Sequence, residues 1–97
     1  MEAKSLNLED AFRLASVLSK YVDINSIDPQ ADAVDFISDI VEKISPEEYL
    51  QCVSLLTQED VDTIKREIAL DILTVFIEGL KLNQCISLIH FYKSLGL

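Results

Sequence analysis

The sequence contains little of what a β-sheet protein needs. Only two glycines and two prolines occur in 97 residues, so tight turns must be few. The apolar residues recur at intervals of three and four rather than alternating, which is the period of an amphipathic helix. Because the chain is short and 49% hydrophobic, it has the composition of a globular protein with room for one core. We therefore predict an all-α fold, in which residues 1–97 form a single small bundle of about five helices.

Basic residues are also scarce. Eight Lys and Arg residues stand against 17 Asp and Glu residues, which gives a net charge of -9. A protein that binds the nucleic-acid backbone needs a basic patch, so no nucleic-acid partner is expected. A transmembrane helix needs about 20 largely uncharged residues, and Asp71, Glu78 and Lys81 interrupt the most apolar stretch, so no membrane partner is expected either. The amino-terminal residues carry acids where a signal peptide carries bases, which favours a cytoplasmic location.

Side chains suited to catalysis and metal binding are few. His90 is the only histidine and falls on the polar side of its predicted helix, where we expect a solvated or locally hydrogen-bonded ring. Cys52 and Cys85 could form a disulfide, but without a secretion signal we interpret them as buried free thiols. The two glycines are isolated, so no phosphate-binding loop is indicated. We therefore predict no enzymatic activity, no cofactor and no metal site.

Caps and apolar periodicity predict the first two helices. Asn7 precedes the first, which runs from about Leu8 to Tyr21, and Asp28 with Pro29 begins the second. The residues predicted to face the core are Leu8, Phe12, Ala15, Leu18 and Val22 in the first helix, and Val34, Ile37, Val41 and Ile44 in the second, flanked by Ala33 and Ile40.

The second helix also carries an acidic stripe opposite its apolar face. The stripe comprises Asp28, Asp32, Asp35, Asp39 and Glu42. Like charges at this spacing weaken an isolated helix slightly, which allows two interpretations. The stripe either keeps the protein soluble or binds a basic surface on a partner.

A capping box marks the start of the third helix. Ser45 and Glu48 have the required spacing, and Pro46 stands at the first helical position. The helix is predicted to extend to about Leu56.

The chain after residue 56 carries weaker signals. Thr57 is predicted to cap a new helix, with Asp60 three residues further on. Apolar residues then continue at helical spacing through residue 75, so this segment is either one long helix or two helices with a break near Lys65. A final helix is predicted to begin near Asn83 and to be closed by Gly96.

The last two predicted helices are apolar over more than half of their circumference. A helix at the surface of a small domain needs a narrower apolar face, and only one of the two can lie at the centre. The excess apolar surface is therefore either core or a surface for a partner or for self-association. The residues predicted for its exposed part are Phe76, Ile77, Leu80, Ile86, Ile89 and Phe91.

Three segments of the sequence carry a resemblance to a known family. In order, LNLEDAFRLASVLSKY, DFISDIVEKISPEEYLQCVSLLTQED and FIEGLKLNQCISLIHFYKSLG resemble the small acidic tail assembly chaperones of long-tailed bacteriophages, or prophages, of Gram-positive bacteria. The likeness rests on the order of the helices, the acidic balance and the character of these segments. Family members tend to carry a glycine after the LLT segment, where this chain has Gln58.

The resemblance implies a non-enzymatic function. Such a protein coats the long helical tape-measure protein, keeps it soluble and helps to recruit tail-tube subunits, then leaves before the tail matures. It would act in the cytoplasm of the bacterial host and would be absent from the mature virion. Self-assembly into a homo-oligomer is a further implication, and the wide apolar faces are compatible with it.

Two other classes of function remain open. An acidic regulatory module, such as an antirepressor or nucleic-acid mimic, would occupy a basic partner surface through the acidic stripe. Its binding would weaken steeply with salt, whereas coverage of apolar helices would survive high salt. A small enzyme would have to act with carboxylates and one histidine.

Overall fold

Helices are the only regular secondary structure in the part of the chain that the structure describes. This structure, a computed structural model, describes the backbone of residues 1–22 and 33–96 and the side chains of residues 1–22 and 36–96. The helices are α1 (Leu8–Leu18), α2 (Ala33–Lys43), α3 (Pro46–Thr57), α4 (Val61–Ile64), α5 (Ala69–Leu82) and α6 (Cys85–Ser94), and a 3₁₀ turn, Ser19–Tyr21, extends α1. These described residues include no strand, so the all-α prediction is confirmed.

Two predicted amino-terminal caps are confirmed by their hydrogen bonds. The Asn7 side chain accepts a bond of 2.9 Å from the Asp10 amide at the start of α1. The Ser45 hydroxyl accepts one of 3.2 Å from the Glu48 amide at the start of α3. Each bond satisfies an amide that has no partner within its helix. The predicted start of the second helix at residues 28 and 29 lies outside the described residues.

The prediction that Thr57 caps a helix is wrong. Thr57 is the last residue of α3, and its hydroxyl donates a 2.8 Å bond back to the Val53 carbonyl. Asp60 has the extended backbone that a cap requires, and its carboxylate accepts a 2.9 Å bond from the Thr63 amide. The cap therefore belongs to the short helix α4, and residues 57–80 form two helices rather than one.

Gln58 makes the turn out of α3 in a left-handed conformation, with φ of 61°. Its amide donates a 2.9 Å bond to the Ser54 carbonyl, and its side chain donates a 2.6 Å bond to the Leu55 carbonyl. These two bonds satisfy carbonyls at the helix end. Gln58 thus adopts the geometry for which glycine is usual.

The core lies where α5 packs against α3, α2 and α6, while α1 packs on α6 and α3. Gly79 allows α5 to approach α3 closely, because a Cβ atom there would lie 2.8 Å from Leu56 Cδ1. Tyr49 contacts the buried ring of Phe76 edge-on, with centroids 5.0 Å apart. The buried apolar residues are Leu14, Ala15, Leu18, Val22, Phe36, Ile37, Ile40, Cys52, Val53, Leu56, Ile64, Ile72, Val75, Phe76, Leu80, Cys85 and Ile89.

Two residues predicted to face the core are exposed. Leu8 is the first residue of α1, and because side chains tilt toward the amino end of a helix, it points past the end of α1. Val41 is exposed because the buried face of α2 is centred on Phe36, Ile37 and Ile40. Among the α2 side chains that the structure describes, this face is therefore rotated away from Val41, and the side chains of Ala33 and Val34 lie outside the described residues.

The segment of residues 1–6, here called the amino-terminal strap, is tied to two helix ends. The Lys4 amide donates a 2.8 Å bond to the Leu56 carbonyl at the end of α3. Asn83, at the end of α5, donates a 3.0 Å bond to the Lys4 carbonyl and accepts one of 2.8 Å from the Leu6 amide. Leu6 also packs against the core. No local sequence pattern predicts this arrangement.

Candidate interaction surfaces

Three of the six residues predicted for an exposed apolar surface lie in the core. The side chains of Phe76, Leu80 and Ile89 are at most 1% exposed, so the prediction is wrong for them. The reason is the central position of α5, which is covered by α2, α3 and α6. Ile77 and Ile86 are half-buried, whereas Phe91 is 52% exposed.

Phe91 belongs to an exposed apolar surface that the sequence did not define. Phe12 of α1 stacks against Phe91 of α6 with ring centroids 6.0 Å apart. Leu8 stands one turn before Phe12, and Leu95 one turn after Phe91; these two leucines are 68% and 47% exposed. The contact between the rings joins the exposed sides of both helices. We call Leu8, Phe12, Phe91 and Leu95 the α1/α6 strip.

The α6 side of this strip has no negative charge. The sequence contains no Asp or Glu after Glu78. The ammonium group of Lys93 donates a 2.7 Å bond to the Val22 carbonyl. On α1 the nearest exposed charges are Glu9 and Arg13, which pair with each other at 2.6 Å. Although the protein has a net charge of -9, α1 and α6 therefore contribute little net charge beside the strip.

A second concave surface, here called the α4 groove, lies between α1, α3 and α4. It has a volume of about 480 Å³. Its floor is formed by the half-buried side chains of Val17, Leu55 and Val61, and its edges by Arg13, Ser16, Gln51 and Ser54. The Ser54 hydroxyl donates a 2.6 Å bond to the Glu59 carbonyl, which fixes the chain between α3 and α4 at one edge.

Arg13 is the one charged residue among those that line the α4 groove. Arg13 at its edge pairs with Glu9 at 2.6 Å and contacts Asp10 at 3.7 Å. On the other side, Asp60 and Asp62 flank Val61 in sequence. The groove therefore combines an apolar floor with polar edges, and the acids named here stand beside its lining residues without being among them.

The turn between α4 and α5 is an exposed apolar tip. Ile68 and Leu70 are 69% and 68% exposed. Lys65 and Arg66 precede them and form the only pair of adjacent basic residues in the sequence. Neither base forms an ion pair within the part of the chain that the structure describes. We call Lys65, Arg66, Ile68 and Leu70 the α4–α5 tip.

The acidic stripe is described only in part. Asp39 and Glu42 are exposed on α2, and neither forms an ion pair among the residues whose side chains are described. Asp28, Asp32 and the Asp35 side chain lie outside the described residues. A role for the stripe in binding a basic partner stays a prediction.

Glu48 connects the start of α3 to the 3₁₀ turn. Its carboxylate accepts hydrogen bonds from the Tyr21 hydroxyl and from the Lys20 ammonium, the latter at 3.1 Å. The bond from Tyr21 is the main cause that lowers the pKa of Glu48, followed by the bond from Lys20. The same residue therefore stabilises the helix end and ties the end of α1 to α3.

The candidate reactive groups are buried. Cys52 and Cys85 are free thiols, as predicted, and burial raises the pKa of each to about 12, so the nucleophilic thiolate is suppressed.

The prediction for His90 is wrong at Nε2, which is buried and lacks a hydrogen-bond partner. Position 90 is on the same side of α6 as Lys93, and this side packs near Val22. Among the described residues, no three His, Cys, Asp or Glu side chains are grouped to hold a metal ion.

Within the described residues, no single helix is long and apolar enough to cross a membrane. Helices α5 and α6 would suffice together by length and composition, with a bend of 60° between them. Their most buried residues, including Phe76 and Ile89, fill the core.

The chain was also compared with known proteins. No protein-family model, curated protein or solved structure matches it.

Proposed function

We propose that this protein is a non-enzymatic bacteriophage tail assembly chaperone, which binds and solubilises a tape-measure protein and helps to recruit tail-tube subunits. It would act in the cytoplasm of the bacterial host and be absent from the mature virion. The observation that supports the proposal best is the α1/α6 strip, an exposed apolar surface on an otherwise acidic protein. Large apolar surfaces on small soluble proteins usually serve binding.

The strip has the chemistry needed to cover an apolar helix. Phe12 and Phe91 present adjacent aromatic rings, and Leu8 and Leu95 extend the apolar surface along both helices. A partner helix with apolar residues at i, i+3, i+4 and i+7 can pack on such a surface. The acidic remainder of the protein would then keep the complex soluble.

The affinity of one strip for one helix is expected to be low. Full burial of a large apolar side chain stabilises by about 1.5–3 kcal/mol, and the side chains of the strip are already partly covered. Association also costs at least about 4 kcal/mol of translational and rotational freedom. Several copies bound along one long helical protein, with contacts between neighbouring copies, would increase the apparent affinity. Coating by many copies is therefore favoured over binding of a single copy.

Gln58 gives additional support to the resemblance. The related chaperones tend to carry a glycine at this position after the LLT segment. In this chain Gln58 adopts a left-handed conformation, which is the conformation that glycine favours at a helix end. Glutamine here therefore adopts the backbone conformation that a glycine at this position would favour.

The test is co-expression with a tape-measure protein from the same genome. We expect the long protein to remain soluble and to co-purify at high salt, because apolar contacts are not screened. The double variant Phe91→Gln/Leu95→Gln should remove this rescue, since it makes the strip polar while keeping residues that favour a helix.

A matched control is available in the same chain. Val41→Gln/Leu82→Gln changes two exposed apolar residues that lie outside the strip and should leave the rescue intact. If the wild-type protein fails to keep the tape-measure protein soluble, the proposal is wrong. A complex that dissociates at moderate salt would point instead to the acidic stripe and a regulatory module.

A further inference from the structure

We propose that Gln84 is a hinge at which this chain opens, so that two copies exchange α6 and each α6 packs on the α1 of the other copy. The surface that receives the partner is the side of α1 on which α6 of the same chain lies in the structure. Each contact between α1 and α6 is therefore re-formed between two chains, and the dimer needs no further complementary surface. This inference goes beyond the proposed function and does not depend on it.

The backbone at Gln84 is strained. Gln84 has φ of 49° and ψ of 54°, a left-handed conformation that is unfavourable for residues with a side chain. Its side chain makes no capping hydrogen bond to α6, a helix that the structure describes from end to end. Gln58, which is also left-handed, is by contrast held by its side-chain bond of 2.6 Å to the Leu55 carbonyl. The strain at Gln84 is therefore maintained by the packing of α6 rather than by its own side chain.

The sequence around the hinge favours a continuous helix. No glycine and no proline occurs between residues 80 and 95, and glutamine itself is a good helix former. The Asn83 amide already donates a 3.1 Å bond to the Gly79 carbonyl, four residues back, so the helical hydrogen bonds of α5 reach the hinge. Helices α5 and α6 meet at 60°. A change at Gln84 to right-handed geometry, with a smaller adjustment at Asn83, joins them into one helix.

The strap holds the end of α5 and leaves α6 free to move. The Asn83 side chain donates a 3.0 Å bond to the Lys4 carbonyl and accepts one of 2.8 Å from the Leu6 amide. Both bonds lie on the α5 side of the hinge, so they persist in the monomer and in the dimer. Within the described residues, α6 packs mainly against α1 and less extensively against α5. It can therefore leave the rest of the chain as a unit.

The exchanged contacts are those that α6 makes with the first part of the chain. Phe12 stacks on Phe91 at 6.0 Å and contacts the Tyr92 ring at 6.2 Å. The Lys93 ammonium donates a 2.7 Å bond to the Val22 carbonyl. The buried side of α6 also leaves the core when the hinge opens, which uncovers apolar surface at a high cost in free energy. We therefore expect monomer and dimer to interconvert slowly.

Two opposing contributions determine the balance between monomer and dimer. The exchanged dimer keeps the native contacts of two monomers and removes the left-handed strain at both copies of Gln84. Association in turn costs translational and rotational freedom. A twofold axis near the hinge relates the two copies, as in other domain-swapped dimers. High protein concentration therefore favours the dimer.

Substitutions with opposite effects at Gln84 test the hinge. Gln84→Gly relieves the strain in the monomer and weakens a continuous helix, so it should raise the dissociation constant of the dimer by about 100-fold. Gln84→Val increases the strain in the monomer, because a β-branched residue is an outlier at positive φ, and should lower this constant by about tenfold or more. Sedimentation velocity of the full chain, equilibrated at each concentration, measures both.

Gln58 provides the matched control. Gln58→Gly and Gln58→Val change the same type of residue in the same backbone conformation at the end of α3, and should leave the dissociation constant unchanged. If both Gln84 variants shift the constant in the same direction, or if Gln84→Val folds and stays monomeric at several hundred micromolar, the proposal is wrong. Should Gln84→Val not fold, the wild-type chain decides, and a monomer at that concentration overturns the proposal.

Isotope-filtered NMR tests the geometry of the dimer. Labelled and unlabelled chains are unfolded together in equal amounts and refolded at high concentration, and the dimer is isolated. We expect nuclear Overhauser effects between Phe12 of one chain and Phe91 of the other. The rings of Tyr49 and Phe76, 5.0 Å apart, lie outside the exchanged helix and should be in contact only within one chain. A dimer in which Phe12 contacts Phe91 of its own chain overturns the proposal.

The outcome is separable from that of the proposed function. The Gln84 variants change no residue of the α1/α6 strip, and its ring contact is present in both the monomer and the dimer. Exchange of α6 without any effect on the tape-measure protein supports the hinge and contradicts the chaperone function. A chain that stays monomeric and keeps the tape-measure protein soluble contradicts the hinge alone.

Discussion

The contact between α3 and α5 and the contact between α1 and α6 differ in how completely they bury their aromatic residues. In the first, Gly79 lets the helices approach closely and Phe76 is fully buried beneath Tyr49. In the second, Phe12 and Phe91 stack at 6.0 Å, and half of Phe91 remains exposed. We call them the closed contact and the open contact.

The difference shows that apolar content alone does not distinguish core from binding surface. Helices α5 and α6 have similarly wide apolar faces, but within the described residues α5 packs against α2, α3 and α6, whereas α6 packs mainly against α1 and α5. The closed contact is expected to determine stability and the open contact to determine binding. The following substitutions test that division.

The largest expected effect comes from truncating one phenylalanine at each contact. Phe76→Ala should lower the free energy of unfolding by about 3–5 kcal/mol, because it leaves a cavity in the core. Phe91→Ala should lower it by about 0.5–1.5 kcal/mol, mainly through loss of the aromatic pair with Phe12. Urea denaturation followed by circular dichroism measures both. Equal losses at the two positions would mean that the open contact is part of the core.

A smaller effect is expected from adding one methyl group at the closed contact. Gly79→Ala should destabilise by about 1–3 kcal/mol, because the new Cβ would overlap with the Leu56 side chain. In a double-mutant cycle, Leu56→Val should relieve part of this overlap and give a measurable coupling. Without coupling, the cost of Gly79→Ala would have another origin than contact with α3.

At the end of α3, replacing Gln58 with glycine and replacing it with alanine should have opposite effects on stability. Gln58→Gly removes the cost of a left-handed conformation but also the side-chain bond to Leu55, so we expect stabilisation by about 0.5 kcal/mol. Gln58→Ala loses the same bond and keeps the left-handed cost, so it should destabilise. Thermal unfolding of both variants measures the difference. Destabilisation by both would show that the side-chain bond dominates.

The smallest effect concerns pH and the link between the end of α1 and α3. The pKa of Glu48 is lowered chiefly by the Tyr21 hydroxyl. Because the pKa of Glu48 is lower in the folded state than in the unfolded state, its ionised carboxylate stabilises the folded state at a pH above the unfolded-state pKa. This stabilisation is lost as the pH falls through the folded-state pKa. Tyr21→Phe should therefore destabilise at pH 7 and have less effect near pH 3. A difference that is independent of pH would contradict this assignment.

Features that depend on neighbouring residues were predictable from the sequence. The caps at Asn7 and Ser45 need only a side chain and an amide three residues away, so local spacing reveals them. Thr57 shows the limit of such signals, since threonine and aspartate both commonly cap helices and only Asp60 does so here. The choice between them depends on where the chain leaves α3, which Gln58 sets by a backbone conformation that is unusual for glutamine.

Features that depend on distant neighbours were not predictable. Periodicity identifies an apolar face but not which part of it another helix covers, and therefore Phe76 and Phe91 had the same predicted role. The α4 groove is formed by residues from three helices, none of which has a distinctive local pattern. The strap depends on hydrogen bonds between Asn83 and two residues far from it in sequence, Lys4 and Leu6. Such contacts follow from the packing of the whole chain.

The bonds between Asn83 and the strap can form only late in the synthesis of the chain. Residues 4 and 6 leave the ribosome long before residue 83, and at about 5–20 residues per second the delay is roughly 4–16 s. During this time α1 lacks its later partner α6, so the Phe12 side of α1 is uncovered on the nascent chain. The open contact is thus among the last to form, and until α6 emerges the growing chain itself exposes the kind of apolar helix that the finished protein is proposed to cover.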